Sequence, residues 1–222
     1  MNYFPEITTV IIACLIGYVI GSFPTAYLLA KIKGIDIFSV GSHQAGATNV
    51  WKEISKINGI YVLVIDVTKG STAVIFANLI GLDEPVTLLP GALAIIGHWN
   101  SPFTKFRGGD GLSCVAGVAI ALAPYAILPP FFLAGIVGLL LARISGNPSL
   151  WAGLIGWATF LLLGTSFEPR VNPITILGIS FLFGSVLVHS VSFHRRNKTY
   201  FDPATQQNDN PTVDLITTKK VD

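Results

Sequence analysis

Long apolar runs are the feature that most restricts what this chain can fold into. A helix needs about 20 apolar residues to cross the hydrocarbon of a bilayer. Stretches of comparable or greater length cover residues 7–30, 59–82, 86–103, 111–142, 149–167 and 171–193. Of the 222 residues, 51% are hydrophobic and 12% are charged, whereas a soluble domain has roughly 25% charged residues. The sequence therefore predicts an all-α integral membrane protein.

The run over 111–142 is too long for one span, and it contains Pro124, Pro129 and Pro130. Proline lacks the backbone N–H that a helix interior needs, so it ends or kinks a helix. We place a break between Pro124 and Pro130, which gives seven transmembrane helices. Residues 1–198 would form one membrane domain, and the polar segment 199–222 would be a disordered cytoplasmic tail.

Basic residues predict the orientation of these spans, because cytoplasmic loops are enriched in Lys and Arg. The loops that follow odd-numbered spans carry Lys31, Lys33, Lys52, Lys56, Lys105, Arg107 and Arg143, and the final segment carries Arg195, Arg196 and Lys198. The other loops carry Asp83, Glu84 and Glu168, with Arg170 as their basic residue. We therefore expect the N-terminus outside and the C-terminus in the cytoplasm.

Four segments rich in small polar residues and glycine fall on the predicted cytoplasmic face. They are GSHQAGATNV over 41–50, TKFRGGDGLS over 104–113, RISGNPS over 143–149 and HRRN over 194–197. Glycine lets the backbone approach a ligand closely, and the N-terminus of a helix favours an anion. One shared phosphate site is our interpretation. The alternative is that the basic residues in these segments follow the positive-inside rule alone.

Three further polar residues lie at or inside the apolar runs. Asp66 and Lys69 are three residues apart on one face of the second span. They either take part in function or form an ion pair that shapes the bundle. His98 ends the third span beside Trp99, which is typical of a hydrogen-bonded interfacial anchor. Cys14 and Cys114 lie in apolar runs, and the sequence indicates no disulfide, metal, cofactor or nucleic-acid partner.

Several motifs together resemble a known family. They are GSFPTAYLLAKIKGIDI, GSHQAGATNV, DVTKG, GHWNSPFTKFRGGDG and HRRN, which span about 11–197. The set is similar to the bacterial membrane glycerol-3-phosphate acyltransferases that use acyl phosphate, the PlsY family. The resemblance implies seven helices in the plasma membrane and a cytoplasmic active site. It also implies acyl transfer from acyl phosphate to the 1-hydroxyl of glycerol 3-phosphate, giving lysophosphatidic acid and phosphate.

The resemblance also assigns roles to residues. The catalytic candidates are Ser42, His194 and Asn197. The substrate-binding candidates are Lys52, Thr48, Asn49, Lys105, Arg107, Gly108, Gly109, Gly111 and Ser149. The chain departs from the family pattern at three places: GSGN reads Gly41-Ser42-His43-Gln44, DIR reads Asp36-Ile37-Phe38, and FKGGKG has Asp110 in place of its second lysine. A carboxylate beside a phosphate is repulsive. There are two alternatives to an active acyltransferase. One is a relative that binds lipid without turnover, and the other is a small transporter with Asp66 and Lys69 on its path.

Overall fold

The computed structural model describes residues 5–144 and 148–200, except for the side chains of Ser149, Thr165, Phe167 and 194–200. Its regular elements there are helices: α1 (Ile7–Ser22), α2 (Thr25–Ile32), α3 (Ala47–Glu53), α4 (Lys56–Leu79), α5 (Leu88–Trp99), α6 (Leu112–Leu122), α7 (Pro124–Leu141), α8 (Pro148–Phe167) and α9 (Pro173–Tyr200), with a short 3-10 turn over Pro102–Thr104. The predicted all-α class is confirmed for these residues. The proposed tail 199–222 lies almost wholly outside them.

Four segments in the described part of the chain are long and apolar enough to cross a membrane. They are Ile7–Ile32, Lys56–Leu79, Pro124–Leu141 and Pro173–Phe193. The shorter apolar helices Leu112–Leu122 and Leu150–Gly164, and the 12-residue α5, occupy the positions of the remaining predicted spans. The count of seven spans and the orientation of the termini stay predictions.

The first predicted span is interrupted at Phe23 and Pro24. Phe23 adopts φ −58° and ψ 118° as the residue that ends α1, because a residue before proline is pushed out of the helical region. Two carbonyls at this break accept hydrogen bonds from distant elements. Ser101 Oγ donates to the Ser22 carbonyl over 2.6 Å, and Lys69 Nζ donates to the Phe23 carbonyl over 2.6 Å. The break is therefore a fixed feature of the fold.

The break between the fourth and fifth spans lies earlier than the sequence predicts. It falls at Ala123, and Pro129 and Pro130 lie inside α7. The expected position between Pro124 and Pro130 was wrong. Pro124 occupies the first helical position, where an N–H has no partner within the helix. The Glu168 carboxylate accepts hydrogen bonds from the next N–H groups, those of Tyr125 and Ala126, over 3.0 and 3.1 Å.

Helix α6 lies at the centre of the bundle. Seven of its eleven residues are buried, and it belongs to a core cluster that also contains Val74 of α4, Ile95 of α5, Phe160 of α8 and Ile179 of α9. Gly70 and Gly117 let α4 and α6 pack with their backbones almost in contact, since a Cβ at either would overlap a carbonyl oxygen of the other helix. This close packing fixes the N-terminus of α6, where the glycine-rich segment ends.

Candidate functional site

Asn49 on the short helix α3 organises the loop over residues 37–44. Its Nδ2 group lies 3.1 Å from the Ile37 carbonyl, 3.1 Å from that of Val40 and 2.9 Å from that of Gln44. Its Oδ1 accepts from the Ser42 backbone N–H over 3.0 Å. A buried side chain can satisfy several backbone groups in this way where the loop has no ladder of its own. The amide of Asn49 therefore holds the loop that presents Ser42.

His43 adopts a left-handed backbone conformation in this loop, with φ 58°. That conformation costs an ordinary residue about 1–2 kcal/mol and costs glycine little. The position therefore favours glycine, which the family that this sequence resembles carries there. The imidazole contributes a contact of 3.2 Å between Nδ1 and the Phe38 carbonyl, which helps to offset the strain.

The glycine-rich segment packs between the end of α5 and the loop at 41–46. Ala45 N–H donates to the Gly108 carbonyl over 3.1 Å, and Gly109 N–H donates to the His98 carbonyl over 3.3 Å. A Cβ at Gly108 would overlap the His98 carbonyl oxygen, and one at Gly109 would overlap the His98 ring. Gly111 has φ 90° and leaves no room for a Cβ beside the Trp99 indole. These glycines are therefore needed for close packing of the segment.

Asp110 occupies the N-terminus of α6 with its own carboxylate. Its Oδ1 accepts from the Leu112 backbone N–H over 3.3 Å, and its carbonyl accepts from Trp99 Nε1 over 2.7 Å. The sequence led us to expect this helix end to offer free N–H groups to a substrate anion. Asp110 uses one of these N–H groups, and the helix dipole stabilises its carboxylate. That this helix end binds a substrate anion stays a prediction.

One large cavity of about 890 Å³ connects these loops with the interior of the bundle. Its polar end is formed by the loop at 41–46, by α3 and by Asp110 with Ser113 at the start of α6. The volume is within the range of cavities that hold small ligands.

The other end of the cavity is apolar and follows one face of α7. The residues of α7 and of its C-cap that line the cavity are Ile127, Pro130, Phe131, Ala134, Gly135, Gly138, Leu139 and Ala142. This spacing of three and four residues marks one helical face, about 22 Å long at 1.5 Å per residue. Small residues of α8, namely Ala152, Gly153 and Gly156, form the facing wall. The cavity therefore suits a molecule with a polar head and a long apolar tail.

The structure brings together part of the predicted site. Ser42, Thr48, Asn49 and Lys52 all line the cavity. Lys105, Arg107, Gly108, Gly109 and Gly111 do not line it. The side chains of Ser149, His194 and Asn197 lie outside the described residues. The sequence-based site also omitted Gln44, Asp110 and the α7 face. The spacing of small residues on α7 could have indicated its cavity-lining face from the sequence.

Arg107 is directed away from the cavity. Its guanidinium carbon lies 4.1 Å from the centre of the Phe38 ring, and Nη2 donates to the Phe38 carbonyl over 3.5 Å. Such stacking of a cation on an aromatic face holds the side chain in place. Arg107 thereby ties the glycine-rich segment to the loop after α2, and it also borders a small space beside Lys69 and Asp66.

The ion pair of Lys69 with Asp66 lies directly behind the glycine-rich segment. Lys69 Nζ is 2.6 Å from Asp66 Oδ1, and His98 Nδ1 is 3.9 Å from the same oxygen. All three side chains are at least nine-tenths buried. His98 was expected to be a hydrogen-bonded interfacial anchor. Its side chain is buried in the protein beside Asp66, and its position at the membrane interface stays a prediction. Among the described residues, no three His, Cys, Asp or Glu side chains are placed to hold a metal ion.

Apolar helices around a cavity with a polar mouth define a protein that handles an amphipathic molecule in a membrane, and similarity to known proteins agrees. The glycerol-3-phosphate acyltransferase family matches residues 11–200. Glycerol-3-phosphate acyltransferase 1 of Deinococcus radiodurans is 40% identical over 155 residues, covering 70% of this chain and 78% of the relative.

Two solved structures share the fold. They are the glycerol 3-phosphate and lysophosphatidic acid forms of PlsY (YgiH), an integral membrane glycerol 3-phosphate acyltransferase. Their TM-scores are 0.67 and 0.64, each at 27% identity, covering 85% of this chain and 89% of the other. The chain belongs to the glycerol-3-phosphate acyltransferase family, and it is an acyltransferase.

Proposed function

We propose that this enzyme transfers a fatty acyl group from acyl phosphate to the 1-hydroxyl of glycerol 3-phosphate. The products are lysophosphatidic acid and phosphate, and the reaction belongs to phospholipid synthesis. The observation that carries this proposal is the single cavity that joins Ser42, Lys52 and Asp110 to an apolar face of α7. A polar head group and a hydrocarbon chain can occupy its two ends at the same time.

The proposal includes seven spans in the plasma membrane, an external N-terminus and an active site at the cytoplasmic face. The polar end of the cavity is formed by the loop at 41–46, α3 and the start of α6. These segments carry or adjoin Lys52, Lys105 and Arg107, basic residues that the positive-inside rule assigns to the cytoplasm. The acceptor, which is water-soluble, would enter from the cytoplasm, and the acyl chain would lie within the bundle.

Ser42, His194 and Asn197 are the proposed catalytic residues. Thr48, Lys52 and Ser149 are proposed to bind substrate directly. Asn49, Gly108, Gly109 and Gly111 are proposed to support the site by holding the loops, as their contacts indicate. Lys105 and Arg107 lie outside the cavity, so their proposed part is to raise the positive potential near its mouth.

Direct transfer is the proposed mechanism. The oxygen of the acceptor hydroxyl attacks the acyl carbonyl carbon, the bond from that carbon to the phosphate oxygen breaks, and the departing phosphate takes the hydroxyl proton. Acyl phosphate is already activated, so the protein has to position the two substrates and stabilise the charge that develops. No cofactor takes part in this scheme.

The donor is tested with purified protein in detergent or liposomes. Glycerol 3-phosphate is supplied with acyl phosphate, or with the acyl thioester of coenzyme A in parallel. We expect lysophosphatidic acid and equimolar phosphate from the first mixture alone. If only the thioester gives product, acyl phosphate is not the donor. If neither mixture gives product, the result supports the alternative that this chain is a family relative that binds lipid without turnover.

A further inference from the structure

We propose that Gln44 is a specificity-determining residue whose side-chain amide donates a hydrogen bond to a phosphate or hydroxyl oxygen of a substrate bound at the polar end of the cavity. The inference rests on the proposed function, because it takes this cavity as the substrate site. Gln44 lines the cavity together with Ser42 and Asp110.

The backbone of Gln44 is fixed on both sides. Its carbonyl accepts from Asn49 Nδ2 over 2.9 Å. The next residue, Ala45, donates from its N–H to the Gly108 carbonyl over 3.1 Å. These bonds join α3, the loop at 41–46 and the glycine-rich segment at the position of Gln44. The side chain therefore starts from a defined point on the cavity wall.

The amide of Gln44 has an unsatisfied donor. The residue is 4% exposed, and Nε2 has no hydrogen-bond acceptor among the parts of the chain that the structure describes. A buried polar group without a partner destabilises a protein, and such groups in native structures call for an explanation. Nε2 itself is enclosed by the protein, so donation to a ligand requires rotation about the last side-chain bond, which exchanges the amide oxygen and nitrogen without moving the backbone.

A neutral donor is suited to this end of the cavity. Asp110 supplies a carboxylate there, and its charge is stabilised by the N-terminus of α6. An amide donates to a phosphate oxygen without a charge of its own, so it can bind the oxygen without forming an ion pair with Asp110. Such a donor, unpaired before binding, would favour substrates that place an oxygen opposite it, because an analogue without that oxygen leaves the donor unpaired.

The test is Gln44→Leu, an apolar substitution of similar size. We expect the thermal midpoint of the unliganded protein to hold or rise, because the unpaired amide is removed. We also expect KM to rise about tenfold or more for either glycerol 3-phosphate or acyl phosphate. The substrate whose KM rises contacts the amide. Gln44→Glu, which replaces the donor with a negative charge, should raise the same KM further.

Thr87→Val is the matched control. Thr87 is fully buried, its Oγ1 is also unpaired among the described residues, and it does not line the cavity. Its midpoint should likewise hold or rise, while both KM values stay as in the parent. A midpoint that falls in Gln44→Leu would show that the amide is a structural partner, and unchanged KM values for both substrates would refute the proposal.

A binding measurement keeps this inference separate from the proposed reaction. Glycerol 3-phosphate, or inorganic phosphate as a probe of the phosphate site, should raise the thermal midpoint of the parent protein by mass action. Gln44→Leu should reduce that rise at equal ligand concentration. If the parent binds but shows no turnover, the reaction fails and the inference is judged on this shift. If the shift is the same in Gln44→Leu and KM is unchanged or unmeasurable, the inference fails.

Discussion

Lys69 Nζ lies 2.6 Å from Asp66 Oδ1 and also 2.6 Å from the carbonyl oxygen of Phe23. One ammonium group thus neutralises a buried carboxylate of its own helix and bonds a carbonyl exposed by the break between α1 and α2. The pair lies behind the glycine-rich segment, which His98 contacts directly. An ion pair within one helix therefore connects the first membrane helix to the site.

Removing one member of this pair should destabilise the protein more than removing both. Lys69→Met leaves the Asp66 carboxyl group buried without its partner, which costs about 3–5 kcal/mol. Adding Asp66→Asn should recover part of that loss, but less than all of it, because the bond to Phe23 is absent. Thermal unfolding in detergent over a double-mutant cycle measures the coupling. Additive losses across the cycle would contradict a coupled pair.

Asp110→Asn should strengthen the binding of glycerol 3-phosphate. Asparagine can still accept the hydrogen bond that Asp110 takes from Leu112 N–H, so the start of α6 is kept, while the negative charge in the cavity is removed. We expect KM for glycerol 3-phosphate to fall severalfold, and Asp110→Lys to lower it further, because the site gains a cation. A KM that rises in Asp110→Asn would show that the carboxylate takes part in binding or catalysis.

His43→Gly should be more stable than His43→Ala by about 1 kcal/mol. Both variants lose the imidazole and its contacts, but only alanine keeps a Cβ in the left-handed conformation at φ 58°, which glycine adopts at little cost. The difference between the thermal-unfolding midpoints of the two variants measures the cost of placing a Cβ in the left-handed backbone conformation. Equal midpoints would indicate that the loop relaxes to another conformation.

Gly135→Phe should shorten the acyl chains that the enzyme accepts. A Cβ at Gly135 meets no other atom within 4 Å, and the residue lies midway along the α7 face of the cavity. A large side chain there fills space that a long chain needs, so kcat/KM for long-chain donors should fall by about tenfold or more relative to short ones. Rates over a series of chain lengths measure this. Ile136→Phe is the control, since Ile136 is 57% exposed and does not line the cavity, and a similar change in both variants would refute the prediction.

Local chemistry explains which parts of the fold were predictable from the residues. The apolar runs predict helices because a bilayer satisfies no backbone groups, so each spanning segment must bond internally. The break inside the first span was missed, although Pro24 marks it, because its two exposed carbonyls are bonded by Ser101 and Lys69 from other elements. No periodicity in the first run reports those distant partners.

The candidate site likewise contains residues that the sequence predicts and residues that it does not. Ser42, Thr48 and Lys52 are found by motif because a loop and a short helix of adjacent sequence carry them. Asp110 was judged from its charge alone, as a repulsive neighbour of phosphate, whereas in the structure its carboxylate also accepts a hydrogen bond from the first N–H of α6, that of Leu112. Gln44 has no local signal, since its unpaired amide is visible only when every neighbouring group is placed.

The sequence by itself determined that the chain is helical and apolar, and it identified the family, because hydrocarbon length and motif order are properties of contiguous residues. The tertiary structure decided how the loops at 41–46 and 107–111 meet, which of their side chains face a common cavity, and which serve only to hold the backbone. Those outcomes depend on contacts between residues far apart in the chain, such as Gly109 with His98 and Ala45 with Gly108, and such contacts follow from packing of whole helices.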